Sequence, residues 1–333
     1  MENFNFDFEK FGGDYKNLIE QVGVGKSCSI FGVQNSMRPA LVSSFKKKIL
    51  YIAADLISAK SVAEQFEIMN YKTFVLEPIY DSFIYKHAQS NEAFVTRSKI
   101  LFEILKKQAE VIVVPVESLF NFLPSIKEFK NHILKFKTGE SIEPETLQKL
   151  LVEAGYKREE LLAEAGQFSR RGEVFDIFPI NADEPYRIDF FDTEIESIKV
   201  FDLQTQKGTK EVKQIEVCPF SDLFLTDDEL KSLIPKLEKL KLKTDIQDAS
   251  LATIFNSEIS EIISRLELKE RGYTLDVLSC FLDDFRSSIF DFVHASDEPY
   301  LVVIDECKRV FDSITSFYND TSERLAELKK SGM

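Results

Sequence analysis

The chain has 333 residues, 44% of them hydrophobic, and a formal net charge of -14. That length exceeds one ordinary core and suits two or three domains. The acidity excludes the electrostatic footprint of an autonomous DNA-binding domain, though not a local basic patch. Phenylalanine is heavily used, at 30 residues against no tryptophan, which reads as core filling.

Residues Met1 to Gly12 carry Glu2, Asp7 and Glu9 and no apolar h-region, so they do not form a signal peptide. No apolar run reaches 18 residues, and a soluble, cytoplasmic protein without a membrane partner is expected. Cys28, Cys218, Cys280 and Cys307 are too far apart in sequence for a metal knuckle or redox pair, and are expected as reduced, buried apolar residues. His87, His132 and His294 are equally scattered, so no metal site is expected.

The first third alternates apolar strands with amphipathic helices. Strands are predicted at Ser29 to Gly32, Ile49 to Ala53, Thr73 to Leu76 and Val111 to Val116, with helices such as Ser58 to Met69 and Ala93 to Lys107 between them. Apolar strands separated by helices imply a parallel sheet covered on both faces.

Two places invite a phosphate-loop reading. Gly25-Lys26-Ser27 is a literal G-K-S, but Glu20 stands where the loop's first glycine belongs, and the triplet precedes a strand where it should follow one. Gly32 to Pro39 has the better context, after a strand and before a helix. There Met37, Arg38 and Pro39 replace the second glycine, the phosphate lysine and the magnesium hydroxyl. This reads as a RecA-like P-loop fold with its chemistry removed. Asp305-Glu306, at the end of the apolar run from Pro299, would be the matching acidic pair, expected here as two solvated acids.

The pattern changes after Pro124. Pro144 to Gly155 forms one helix with Leu147, Leu150, Leu151 and Ala154 as its apolar stripe, proline in the first turn and glycine as the C-terminal cap. Strands follow at Gly172 to Phe178, Tyr186 to Asp192 and Glu194 to Phe201, joined by turn-rich pieces: an antiparallel meander packed by a helix. Beyond Lys213 the α/β character returns, with a capping box at Thr226 to Glu229, a buried strand in Pro299 to Glu306 and a helix over Lys308 to Lys330. The fold expected is a parallel-sheet α/β domain of residues 1–126 and 214–333, interrupted by a small antiparallel α+β domain of residues 127–213.

In the strand Tyr186 to Asp192, alternation puts Tyr186, Ile188 and Phe190 on a core face and Arg187, Asp189 and Phe191 on the other. Arginine beside an aromatic on an outer face is the make-up of an interface hot spot. The same pattern also reads as Phe191 tucked under a loop and Arg187 paired with Asp189 or a neighbouring carboxylate.

The run Gly166 to Lys207 holds R-G-x-x-x-D-I-F-P from Arg171, R-I-D-F-F-D-x-E-I-E-S-I from Arg187 and F-D-x-x-T-Q from Phe201. It resembles domain 2 of the excision-repair protein UvrB and the matching domain of the bacterial transcription-repair coupling factor family (Mfd). Pro78-Ile79-Tyr80-Asp81-Ser82-Phe83, the degenerate loop at Arg38, and a segment from Glu77 to Arg97 too short for the DNA-wedging hairpin of UvrB all favour the coupling factors. The resemblance implies a UvrB-like N-terminal module that binds the excision-repair protein UvrA, with RNA polymerase and duplex DNA engaged through parts of the family's protein beyond this chain. It maps the UvrA contacts onto Arg171, Arg187 and Phe191, with Arg170 adjacent. It implies neither catalytic residues nor a cofactor here. A nucleotide-dependent, UvrB-like DNA helicase is the alternative.

Overall fold

The computed structural model describes residues 13–79, 91–205, 207–221, 224, 227–243, 249–268, 278, 281 and 287–331. The first stretch holds α1 (Gly13–Gly23), α2 (Arg38–Ser43), β1 (Lys48–Ala53), α3 (Leu56–Ile68) and β2 (Thr73–Val75). Next come α4 (Asn91–Leu105), β3 (Val111–Pro115), α5 (Ile126–Asn131), β4 (Leu134–Lys137) and α6 (Pro144–Glu153). Strands β5 (Lys157–Arg158), β6 (Gln167–Arg171), β7 (Val174–Phe178), β8 (Tyr186–Phe191), β9 (Glu194–Phe201), β10 (Gly208–Val212) and β11 (Gln214–Val217) follow. The chain ends with α7 (Asp227–Lys243), α8 (Ala249–Glu267), α9 (Ile289–His294), β12 (Tyr300–Ile304) and α10 (Cys307–Ser331).

These elements fall into two compact units. Among described residues the first comprises 13–79, 103–121 and 288–323, and the second 91–102, 122–287 and 324–331. The first is the parallel α/β unit, with strand order β12-β1-β3-β2. Residues Ile49 to Ala53 and all of β3 are buried, as expected of central strands with both faces covered. One face, carrying Ile49, Tyr51, Ala53, Val111 and Val113, packs with Ala59, Val62, Ala63 and Phe66 of α3. On the other, Ile52 and Ala54 meet Val116, Val310 and Ile314. Asp55 caps α3 by accepting from the Ser58 amide at 2.7 Å.

The second unit holds the sheet β10-β9-β8-β7-β6-β5, antiparallel except where the short β5 runs parallel to β6, and the antiparallel ribbon β11-β4. Its buried side chains include Phe168, Phe175, Ile177, Ile188, Ile195 and Ile198 from the sheet and Leu147 and Leu151 from α6. Gly155, in the left-handed region at φ 93°, ends α6 as the sequence suggests. Its missing Cβ matters, because the Phe220 carbonyl oxygen lies 2.3 Å from where that atom would stand. Farther along, Leu233 and Leu237 of α7 pack with Ile259, Ile263 and Leu266 of α8.

The fold is the expected mixture of a parallel sheet and a separate antiparallel one, with several differences in detail. Ser29 to Gly32 is exposed irregular chain and not a strand, bracketed by positive φ at Gly25 (76°) and Gly32 (79°). Gly172 (φ 64°) sits in a turn, so the strand expected from there begins at Val174, with the unanticipated β6 before it. Strand β12 is not buried: it edges the described sheet, and Val302 and Ile304 are exposed. Cys28 and Cys307 are exposed and only Cys218 is buried, while Cys280 lies outside the described residues. So do His87, Thr226 of the capping box, and Tyr80 to Phe83. The antiparallel pairing of β4 with β11 runs to Val217, past residue 213, and the first unit resumes only at 288.

Candidate functional site

The second unit presents one solvent-facing surface of its six-stranded sheet on which arginines, carboxylates and an aromatic meet. Strand pairing builds it. Asp176 of β7 lies opposite Arg187 of β8, Arg187 opposite Lys199 of β9, and Lys199 opposite Glu211 of β10. In the neighbouring row Arg171 of β6 pairs with Val174, Val174 with Asp189, and Asp189 with Ser197. Side chains directly opposite across antiparallel strands share a face, so sheet register alone brings these groups together.

The pairing leaves two like charges, Arg187 and Lys199, side by side, and each is balanced by an acid from its neighbourhood. Arg187 grips Asp176 with two hydrogen bonds, Nε to Oδ1 at 2.6 Å and Nη2 to Oδ2 at 2.9 Å. Its guanidinium carbon also lies 4.9 Å from the Phe201 ring centroid. Lys199 donates to Asp189 at 2.9 Å, and the Ser197 hydroxyl donates to the same oxygen at 2.7 Å. Burial alone would raise the Asp189 pKa, but the hydrogen bonds from Lys199 and Ser197 outweigh it and hold the carboxyl below the usual range. The hydrogen bond with Asp176 raises the Arg187 pKa further, so this guanidinium stays charged.

Arg171 reaches the same acid, with Nη2 donating to Asp176 Oδ2 at 2.6 Å. It closes β6, ahead of the two-residue turn at Gly172-Glu173. The Asp176 side chain is 3% exposed, Arg187 19% and Arg171 49%. Phe191, at the tip of β8 and paired with Glu194, is 74% exposed.

All three residues singled out in the sequence therefore lie on this unit, and of the set expected inward in β8, Ile188 and Phe190 are buried and Tyr186 is half-buried. Phe191 stands two outward positions beyond Arg187, roughly 13 Å along the strand at its usual rise. It is not tucked under a loop. Arg187 is ion-paired to Asp176, one of the neighbouring carboxylates that the pattern allowed. Arg170 turns elsewhere: it donates to Glu145 of α6 at 2.8 Å and lies 5.3 Å from the Phe175 ring centroid. Asp176 and Lys199 were missed. Their signal was present in the alternation of β7 and β9, once the pairing of those strands with β8 is known.

A second cluster lies in the first unit, where a nucleotide reading would look. Arg38 donates to Asp305 at 2.8 Å and lies 3.4 Å from Glu306, and its Nε donates to the Val33 carbonyl at 3.3 Å. Arg309 joins with Nη1 2.5 Å from Glu306 and Nη2 2.9 Å from Asp55. The acid pair is thus engaged by arginines and not simply solvated. The hydrogen bond from Arg309, with help from Arg38, lowers the Glu306 pKa. Burial raises that of Tyr51, and the neighbouring Asp305 adds to the shift. Among the described residues no group of three or more His, Cys, Asp or Glu side chains is arranged to hold a metal ion, and no helix is long and apolar enough to cross a membrane.

Residues 134–223 match the UvrB interaction domain family, a range that opens on β4 and takes in the whole antiparallel sheet and β11. Over its full length the chain is similar to the transcription-repair-coupling factor of Bacillus subtilis (strain 168), with 26% identity across 345 aligned positions covering 100% of this chain and 29% of that protein. The transcription-repair-coupling factor of Staphylococcus aureus (strain bovine RF122 / ET3-1) is 25% identical over 321 positions, covering 91% of this chain and 27% of its own. The chain spans less than a third of the length of the curated relatives it matches.

Proposed function

Taking the chain as a relative of the N-terminal part of transcription-repair-coupling factors, we propose that it is a non-catalytic recruiting module. Its UvrB interaction domain binds the excision-repair protein UvrA and, in a protein of the relatives' length, brings UvrA to RNA polymerase stalled at a lesion. The observation that carries this reading is the sheet surface inside the matched range. An exposed aromatic, Phe191, projects from the same strand face as Arg187, which with Arg171 is set by a nearly buried carboxylate, the chemistry that dominates protein interfaces.

The parallel-sheet unit serves as scaffold in this proposal. Arg38 stands where a phosphate lysine would, and its guanidinium is spent on Asp305 and Glu306, the acids a magnesium site would need. Met37 and Pro39 offer neither a flexible loop position nor a metal hydroxyl. A nucleotide-dependent helicase would need all of these groups for phosphate and metal.

The test is direct titration of the chain with purified UvrA at physiological salt. Saturable one-to-one binding supports the proposal; absence of binding at high micromolar UvrA overturns it.

A further inference from the structure

The geometry points to Asp176 as a positioning residue that presets both arginines of the UvrA surface, an inference that rests on the recruiting role proposed above. Three charge-assisted hydrogen bonds converge on this one carboxylate from two strands. Arg187 supplies two, at 2.6 and 2.9 Å, and Arg171 supplies one at 2.6 Å. With its side chain 3% exposed, Asp176 offers a partner almost no surface of its own. What it controls is where two long, otherwise flexible cations point.

The arrangement is built by the sheet. Asp176 sits on the central strand of the three, with Arg187 directly opposite on β8 and Arg171 beyond the adjoining turn at the end of β6. Arg187 is held on two sides, by the carboxylate at its Nε edge and by the Phe201 ring against its guanidinium. Arg171, half exposed, is tethered through a single Nη2 and so keeps part of its guanidinium on the surface. Loss of the Asp176 charge would leave two cations close together without their common acid, each spread over more rotamers than it has now. Binding would then have to supply the ordering that the folded chain now supplies in advance.

Asp176→Asn keeps the side-chain shape and removes the charge. UvrA affinity is measured by calorimetry for the native full chain, D176N, R187A and the double variant D176N/R187A. The expected result is about tenfold weaker binding for D176N, with the double variant weaker than R187A by less than that factor, because in R187A only the positioning of Arg171 remains to be lost. Native affinity in D176N while R187A is impaired overturns the positioning role and leaves the binding surface standing. Strictly additive losses in the double variant overturn it as well. Native affinity in both R187A and Phe191→Ala overturns the surface itself, and this inference with it. Should D176N fail to fold, the native chain labelled with 15N-arginine decides. A downfield, slowly exchanging Arg187 Nε–H resonance is expected, and exchange as fast as that of free arginine sinks the proposal.

Discussion

The Arg38 guanidinium donates to Asp305 across 267 positions of sequence, at 2.8 Å, and so ties the chain from Val33 to Arg38 to the end of β12. The acid pair is neutralised from within, by Arg38 and Arg309. Calorimetry is therefore expected to find no saturable magnesium-dependent ATP binding to the chain, and Arg38→Ala is not expected to create any. That substitution leaves Asp305 and Glu306 without one shared cation and should cost about 1–2 kcal/mol in a denaturant titration. Micromolar ATP binding to the native chain, lost in R38A, would reinstate the nucleotide-dependent reading.

Gly155→Ala tests how the second unit closes on itself. The residue sits at φ 93°, and a Cβ there would lie 2.3 Å from the Phe220 carbonyl oxygen, a backbone atom with little room to move. The Phe220 amide also bonds the Ala154 carbonyl at 2.7 Å, which fixes the approach. Strain and clash together should cost upward of about 2 kcal/mol. Gly139, at φ 82° with nothing within 4 Å of its absent Cβ, isolates the strain alone, so Gly139→Ala should cost about 1 kcal/mol. Equal midpoint shifts for the two variants would refute the role of the Phe220 contact.

The sequence was most readable where side chains alternate or repeat cleanly. The strand at Glu194 to Phe201 appears with both ends as expected, and the inward and outward sets of β8 follow from alternation. Strand β6 escaped notice because Gln-Phe-Ser-Arg-Arg has one apolar residue and no polar alternation, and it is made a strand by pairing with β7. The strand expected at Ser29 to Gly32 failed for the converse reason. Ile30 and Phe31 have strand propensity, but all four residues are exposed, and tertiary pairing decides where propensity is weak. Of the proposed binding surface, Arg187 and Phe191 could be read as a pair on one face. The partner of Arg187 could not, since Asp176 and Asp189 are equally plausible acids until the β7–β8 register is known.

Acid titration should expose the Asp189 contribution. The folded chain holds this carboxyl below its ordinary range through Lys199 and Ser197, with burial opposing. A lowered folded pKa means that the stabilisation is present above the unfolded value and is lost as pH falls through the folded one. Asp189→Asn is therefore expected to be less stable than the native chain at neutral pH. The gap should narrow once pH drops below about 4, where the unfolded-state carboxyl is protonated. Unfolding midpoints in urea from pH 7 down to pH 2 measure this, and a gap that widens in acid would contradict it.

The proposed binding surface makes its sharpest prediction through the contrast between Phe191 and Arg187. Phe191 is 74% exposed, so Phe191→Ala should leave stability within about 0.5 kcal/mol of the native chain. A hot-spot aromatic typically costs roughly 2 kcal/mol or more on truncation, so UvrA affinity should fall about 30-fold. Arg187 is different, because its removal strips two hydrogen bonds from a nearly buried carboxylate and leaves Asp176 to Arg171 alone. Arg187→Ala should therefore lose both affinity and about 1–3 kcal/mol of stability, and Arg171→Ala, more exposed and singly bonded, should lose less stability. Asp189→Ala shares the strand face but offers no matching group to the partner, so its effect on affinity should be smaller than either. Binding isotherms run beside denaturation curves separate the two effects. Full UvrA affinity in F191A, with the fold intact, would remove Phe191 from the interface and refute the surface as drawn.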